Sequence, residues 1–389
     1  MKIFFSVGEP SGDQHAAHLI VELQRRQPDI ECVGYGGPLM ERAGCRLNYP
    51  LTNLAVMGFI RVIPMLWKFI KLARKARRIL QETRPDAVVL VDFPGFNWWI
   101  ARYAKRLDIP VFYYLPPQLW AWASWRVERI RKFVDHVLCG LPFEETWYAE
   151  QGIKVEYVGH PFFDEVADHV LDAGFLESHA ETDIRDIGIL PGSRHQEVVR
   201  NFPVILEVMR RLHRTHQDIR FLIACYKPAH RMLCEKMVQE SAHDLPIELH
   251  VGRASEIIER ATCCLMVSGS ISLEILARGT PTVVVYRMSR ITAWIGQRLV
   301  KCRFISLPNL FDDRAILPEF PSTGKLKHDI HTMTGILSGW LSDHSLWELS
   351  HGEITRVRDR FIATGATART ADRILTHLDS SVDQQRNVA

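Results

Sequence analysis

The sequence predicts an α/β protein made of two Rossmann-like halves, each a parallel sheet wound on both faces by helices. Three observations carry this expectation. The chain opens with an apolar run, Lys2–Val7, then a glycine-bracketed loop, then an amphipathic stretch, Gln14–Arg26, which is how a parallel sheet begins. Short apolar runs then alternate with helical patterns, and the alternation restarts near residue 165. A length of 389 residues exceeds one ordinary core and suits two.

Taken in order, the first half has further strand candidates at Ala87–Val91, Val111–Leu115, His136–Cys139 and Val155–Val158. Leu171–Thr182 reads as a linker or surface stretch. In the second half the candidates are Asp186–Leu190, Arg220–Ala224, Ile247–His250, Cys263–Val267 and Thr282–Val285, with a helix over Gln196–His213. Trp340–Leu378 reads as helices of mixed charge, and the polar tail Asp379–Ala389 is expected to fray.

Composition narrows the class. Hydrophobic residues make up 47% and charged residues 24%, as in folded soluble proteins. A net charge of +3 gives no ground for nucleic-acid binding. The charge is uneven, however: Arg61 to Arg78 holds seven basic residues and no acidic one. The eight cysteines include no C-x-x-C pair, which speaks against a metal cluster or disulfide framework and fits a reducing cytoplasm. Cys263 and Cys264 are expected to pack as small hydrophobes. The apolar start is too short for a signal peptide, and no run of 18 apolar residues occurs, so membrane contact is expected to be peripheral.

Two turns in the second half suit phosphate. Leu190-Pro191-Gly192-Ser193-Arg194 leaves a strand for a helix, where Gly192 permits close approach and Ser193 and Arg194 can bond a diphosphate at the helix start. An ordinary β–α turn with a surface arginine fits that segment equally well. Ser268-Gly269-Ser270-Ile271-Ser272-Leu273-Glu274 repeats the strand-to-helix step, and Glu274 can accept from ribose hydroxyls or merely favour the helix dipole. No P-loop and no D-x-D at a strand end is present, and Asp312-Asp313 reads as surface, so the two turns suggest a nucleotide-diphosphate site that is expected to need no metal and no cofactor. Asn309, in Leu307-Pro308-Asn309, reads either as a site residue or as a turn former, in a proline-marked stretch that runs on to Glu319.

In the first half, Gly8-Glu9-Pro10-Ser11-Gly12-Asp13 places two carboxylates in the first loop, with Asp13 read as a helix cap more than a base. Asp92, in Val91-Asp92-Phe93-Pro94-Gly95, ends a strand among apolar neighbours, which favours a base of raised pKa. Seven of the ten tryptophans fall in this half, and Trp120, Trp122 and Trp125 suit core or interface. Phe59–Leu80 sets Trp67, Phe69 and Ile70 beside Lys68, Lys71 and Arg74, a pattern for an anionic membrane surface or for a solvated basic face.

The ordered set Gly8–Asp13, Val56-Met57-Gly58-Phe59, Pro117-Gln118-Leu119-Trp120-Ala121-Trp122, Val158-Gly159-His160-Pro161, Leu190–Arg194, Ser268–Glu274 and Leu307–Asn309 resembles the lipid-A-disaccharide synthase family, from residue 2 to about residue 320. Two positions depart from the family pattern: Arg61 stands where an acidic residue is usual, and Ile271 replaces a smaller alanine. The resemblance implies a GT-B fold with an inter-domain cleft. It divides the chain into an acceptor- and membrane-facing domain, 1–165, a nucleotide-sugar domain, 166–350, and C-terminal helices, 351–389, with Arg356–Leu378 free to pack back on the first domain.

The implied reaction is inverting transfer of 2,3-diacylglucosamine from its UDP derivative to lipid X (2,3-diacylglucosamine 1-phosphate), giving a β-1,6-linked disaccharide and UDP. The implied location is the cytoplasmic face of the inner membrane, and a homo-oligomer is left open. Family-important positions fall on Glu9, Asp92, Arg194 and Asn309. The expected mechanism has Asp92, with Glu9, deprotonating the acceptor. Gly192, Ser193, Arg194, Ser268, Gly269 and Ser270 hold the diphosphate, and Glu274 holds the ribose. A UDP-sugar epimerase and a non-catalytic lipid- or nucleotide-binding protein are the alternatives.

Overall fold

The structure is a computed structural model that describes residues 1–55, 62–180, 183–288, 302–324 and 326–388, with residues 55, 62–65 and 381–388 described by backbone alone. The motif Val56–Phe59, Arg61 and Thr182 lie outside the described residues. The chain forms two compact units, Met1–Asp164 with Ala363–Ala389, and Glu165–Ile362.

Unit one is a seven-stranded sheet in the order β3-β2-β1-β4-β5-β6-β7. Its strands are β1 (Lys2–Val7), β2 (Glu31–Gly36), β3 (Arg46–Pro50), β4 (Ala87–Val91), β5 (Val111–Tyr114), β6 (His136–Cys139) and β7 (Glu156–Tyr157). Unit two is a six-stranded sheet in the order β10-β9-β8-β11-β12-β13. It comprises β8 (Arg185–Leu190), β9 (Ile219–Cys225), β10 (Ile247–Val251), β11 (Cys263–Val267), β12 (Thr282–Arg287) and β13 (Glu319–Ser322). Every neighbouring pair is parallel. Helices cover both faces, so inner strands such as Ala87–Val91 and Cys263–Val267 are buried along their whole length and carry apolar residues at every position. Cys263 and Cys264 sit in that apolar run as free thiols.

The sequence reading did not anticipate β2, β3 or β13. β2 is broken by glycines, and a Cβ at Gly34 (φ +150°) would lie 2.0 Å from the Phe5 carbonyl oxygen, so the neighbouring backbone demands glycine there. β3 and β13 are edge strands carrying Pro50 and Pro321, which hides them from an apolar-run criterion. Two further segments are helical. Leu171–Thr182 contains a helix, Ala173–Ser178, whose N-cap Asp172 accepts from the Phe175 N–H at 3.1 Å. The polar tail Asp379–Val388 continues the helix Ala366–Val388.

That last helix completes unit one. Ala371, Ile374 and Leu378 are buried in one core with Ile3, Leu19 and Ile20, and Arg26 pairs with Asp372. Asp164, the last residue before the chain leaves the unit, accepts the N–H groups of Gly365, Ala366 and Thr367 at 2.6, 3.2 and 2.9 Å and so caps the helix where the chain returns. Among the described residues no helix is long and apolar enough to cross a membrane.

Candidate active site

Each sheet reverses its direction of growth once. In unit one β2 and β3 add to one side of β1, and β4 adds to the other; in unit two β9 and β10 lie on one side of β8, and β11 on the other. Loops leaving the two strands beside such a reversal diverge, and the crevice they leave is where open α/β sheets take ligands. The four loops concerned are those beginning at Gly8 and Asp92 in unit one and at Pro191 and Ser268 in unit two. The sheet topology thus brings Glu9 beside Asp92, and Gly192–Arg194 beside Ser268–Ser270.

Asp92 and Phe93 occupy successive left-handed conformations, at φ +46° and +45°, which side chains other than glycine rarely adopt. A polar brace holds them. Asn97 Nδ2 donates to the carbonyls of Asp92 (2.8 Å), Ser6 (3.1 Å) and Val91 (3.2 Å), while Ser6 Oγ donates to Asn97 Oδ1 at 2.7 Å. The Tyr113 hydroxyl donates to the Asp92 carbonyl at 2.9 Å. A Cβ on Gly8 would fall 2.2 Å from the Phe93 ring, so glycine is required where the two loops meet.

The half-buried Asp92 carboxyl is pushed up to about 6, chiefly by desolvation, with His15 opposing and the negative charge of Glu9 adding to the rise. Buried His15 meets the His160 ring edge-on at 5.6 Å. Burial drives His160 down to about 3, and its Nδ1 accepts from the Phe162 N–H at 3.2 Å, so the ring is neutral with its hydrogen on Nε2. Glu9 is exposed at the N-cap of the helix Pro10–Arg26. Asp13 is indeed a cap, but for the next helix, Pro38–Arg42: its carboxylate accepts from Gly37, Leu39 and Met40 at 2.9, 3.0 and 3.1 Å.

Three neighbours of this turn had no role in the sequence reading. His160 was visible as part of Gly159-His160-Pro161, while His15 carries no local signal. Glu144 is buried and its carboxyl rises to about 7, mainly by desolvation against hydrogen bonds from the Leu141 N–H and the Trp120 indole, with the Asp92 charge pushing it further up. Trp120 is therefore a buried donor, whereas Trp122 and Trp125 stand exposed with the Arg126 guanidinium over both rings.

In unit two, Gly192 has φ +114°, and a Cβ there would meet the Glu197 side chain at 2.9 Å. Arg194 is the N-cap of the helix His195–Thr215 and is 81% exposed, with Nη1 on Glu197 Oε1 at 2.8 Å. Glu197 Oε2 accepts the N–H groups of Ser193 and Arg194 at 3.2 and 3.1 Å, so a carboxylate already occupies the position expected for phosphate. Gly269 and Ser270 are exposed. Ser268 Oγ donates to the Ile305 carbonyl at 2.7 Å.

Two candidate residues in unit two are already engaged within the protein. Asn309 is fully buried, with both amide hydrogens engaged by Leu317 O and Glu319 Oε1 at 2.8 Å, so it shapes the loop from inside rather than facing a ligand. Glu319 also accepts from the N–H groups of Ile305 and Ser306, which links this knot to the Ser268 turn. Glu274 is buried and paired with Arg278 at 3.0 Å, so it is not an open ribose acceptor in this state; contact with ribose requires that pair to exchange.

The helix Val62–Thr83 presents Lys68, Lys71, Arg74, Lys75, Arg77 and Arg78 to solvent, together with Leu66 and Trp67, which is 70% exposed. Phe69 departs from that group. It packs 6.0 Å from the rings of both Phe93 and Phe96, joining the basic helix to the Asp92 turn instead of facing outward.

A family model described as lipid-A-disaccharide synthetase matches residues 3–335. A lipid-A-disaccharide synthase from Nitrosococcus oceani is 35% identical over 318 residues, covering 80% of each chain. One from Myxococcus xanthus is 33% identical over 377 residues, covering 96% of this chain and 97% of its own. Among solved structures, an S. aureus MnaA–UDP co-structure superposes with a TM-score of 0.68 at 13% identity, covering 97% and 96% of the two chains. An Acinetobacter baumannii MurG structure gives 0.62 at 12% identity, covering 96% and 99%. These two likenesses establish the GT-B fold.

Proposed function

Because the chain belongs to the lipid-A-disaccharide synthetase family, we propose a division of labour between its units in the transfer of 2,3-diacylglucosamine from its UDP derivative to lipid X, with release of UDP. Unit one takes the acceptor and faces the lipid surface; unit two takes the nucleotide sugar. The observation that carries this reading is Asp92: a braced, left-handed carboxylate at a sheet reversal, with a pKa of about 6.

A carboxyl of that pKa is ionised near neutral pH yet more basic than a solvated aspartate, which suits removal of the acceptor 6-hydroxyl proton as that oxygen attacks the anomeric carbon. Glu9 stands beside it, and its charge helps keep the pair's basicity high. The neutral His160 offers an Nε2–H as a donor to sugar oxygens without adding positive charge that would lower the basicity of Asp92. In unit two the UDP diphosphate takes the place of Glu197 at the helix N-terminus, which frees Arg194 to pair with it, while Ser268, Gly269 and Ser270 close the other side. Leaving-group charge is stabilised by these amides and the guanidinium, and a single displacement inverts the anomeric centre.

The lipid-facing surface is the helix Val62–Thr83, where Trp67 and Leu66 enter the interface and Lys68, Lys71 and Arg74 meet anionic headgroups. The test is direct. Purified protein is given UDP-2,3-diacylglucosamine with and without lipid X, and UDP is measured. Release that depends on lipid X is expected; release without it, or an isomerised sugar, would overturn the transferase reading in favour of an epimerase.

A further inference from the structure

Away from both pairs of turns, unit two gathers two imidazoles and a carboxylate at its outer edge strand. Glu248 and His250 lie two residues apart on β10, so their side chains leave the same face. His179, just past the helix Ala173–Ser178, meets them. His179 Nε2 lies 3.1 Å from Glu248 Oε2, and His250 Nε2 lies 3.2 Å from the same oxygen. One ligand atom from each residue falls within 4.8 Å of the others.

The hydrogen bonding around His179 is informative. Its Nδ1 is 2.7 Å from the Phe175 carbonyl oxygen, which can only accept, so Nδ1 carries a hydrogen. With Nδ1 so engaged, Nε2 is the ring nitrogen turned toward the carboxylate oxygen. A metal ion set between the two would take one lone pair from each. A ring N–H braced by a backbone carbonyl is also the usual support of a metal-binding histidine. Glu248 has a second oxygen for its arginine: Oε1 faces Arg220 Nη1 at 3.5 Å, while Arg220 Nε is held by Asp186 at 2.8 Å. Oε2 is left to the imidazoles. Phe175 stacks on His179 at 4.2 Å and meets His250 edge-on at 5.0 Å, walling the group on one side.

We propose that His179, Glu248 and His250 bind a divalent first-row transition ion, with zinc the best match to two imidazole nitrogens and one carboxylate oxygen. The ion clamps the segment leading into β8 to the edge strand β10. It lies two strands from the β8–β11 reversal and takes no part in sugar transfer. The second group of this type, His136, Glu156 and His377 in unit one, is less suited: its imidazoles stack face to face at 3.8 Å, and Arg373 sits on Glu156 at 3.2 Å.

The full-length protein, stripped with a chelator, is titrated with Co²⁺ and followed by visible absorption, then displaced with Zn²⁺. One equivalent with a d–d band is expected. His179→Ala and His250→Ala should each weaken binding by at least about tenfold, while His377→Ala leaves it unchanged. X-ray absorption of the zinc-loaded wild-type protein needs no variant, and should show imidazole scattering with nitrogen and oxygen at about 2.0–2.2 Å. Absence of a cobalt band, loss of binding in His377→Ala instead, or a zinc shell without imidazole would overturn the site.

Discussion

Asp92 is held in an unfavourable backbone conformation and as a carboxyl that resists ionisation, and both have measurable consequences. Between the ordinary value of 3.8 and the folded value of about 6 the folded state binds the extra proton, so its stability falls as pH rises through that window. Asp92→Asn removes the charge and keeps a residue that tolerates the left-handed region, so at pH 7.5 it should stabilise the protein by about 1–3 kcal/mol, a gain that fades as the pH approaches 4. The same variant should lower turnover roughly 100- to 10,000-fold, and wild-type turnover should fall as pH drops below about 6. Thermal melts and rates across pH 4–8 check both. Arg194→Ala should raise KM for the UDP sugar by roughly 10- to 100-fold, the worth of a charge-assisted hydrogen bond, and steady-state kinetics read it. At this scale Asp92 was legible because an aspartate ending an apolar strand is visible in one dimension. His15 and Glu144 were not, because neighbours distant in sequence supply their significance. The partners that hold Glu274 and Asn309 were not legible, because a residue type says what a side chain can bond and not which partner already holds it.

The helix Val62–Thr83 has two contrasting sides: Phe69 on its inner side packs against the Phe93 ring of the Asp92 turn, while its outer side carries the basic block. Reversing three of those charges, with Lys68→Glu, Lys71→Glu and Arg74→Glu together, should cost at least about 100-fold in binding to anionic vesicles, from about 1 kcal/mol per basic residue. Vesicle co-sedimentation at two salt concentrations measures it, and turnover on detergent-dispersed substrate should be largely retained. The periodicity showed that this helix is amphipathic, and the spacing of Phe69 from the buried Leu72, Ala73, Ala76 and Leu80 puts it on the inner face, which grouping it with its chain neighbours Trp67 and Lys68 overlooks. The inner strands were readable from their unbroken apolar runs. β2, β3 and β13 were not, because glycine at a close backbone approach and proline at a sheet edge both break the pattern.

For the molecule as a whole, two α/β halves could be read from the restart of the strand–helix alternation, but the order of strands within each sheet could not, since pairing joins residues far apart in sequence. That order decides which loops share a reversal, and so which residues can act together. The return of the chain to unit one has its own consequence. Ending the protein before Ala363 strips Ala371, Ile374 and Leu378 from the core that holds Ile3 and Leu19. The truncated protein should lose the melting transition of unit one, or show it well below the wild-type temperature, while that of unit two persists; calorimetry with a hydrophobic dye distinguishes the two. During synthesis the same arrangement sets an order of events. The half that leaves the ribosome first is the last to be finished, because its sheet waits with an uncovered apolar face until the final helix is released and Asp164 can cap it. A nascent chain stalled after unit two is therefore a natural client for chaperones.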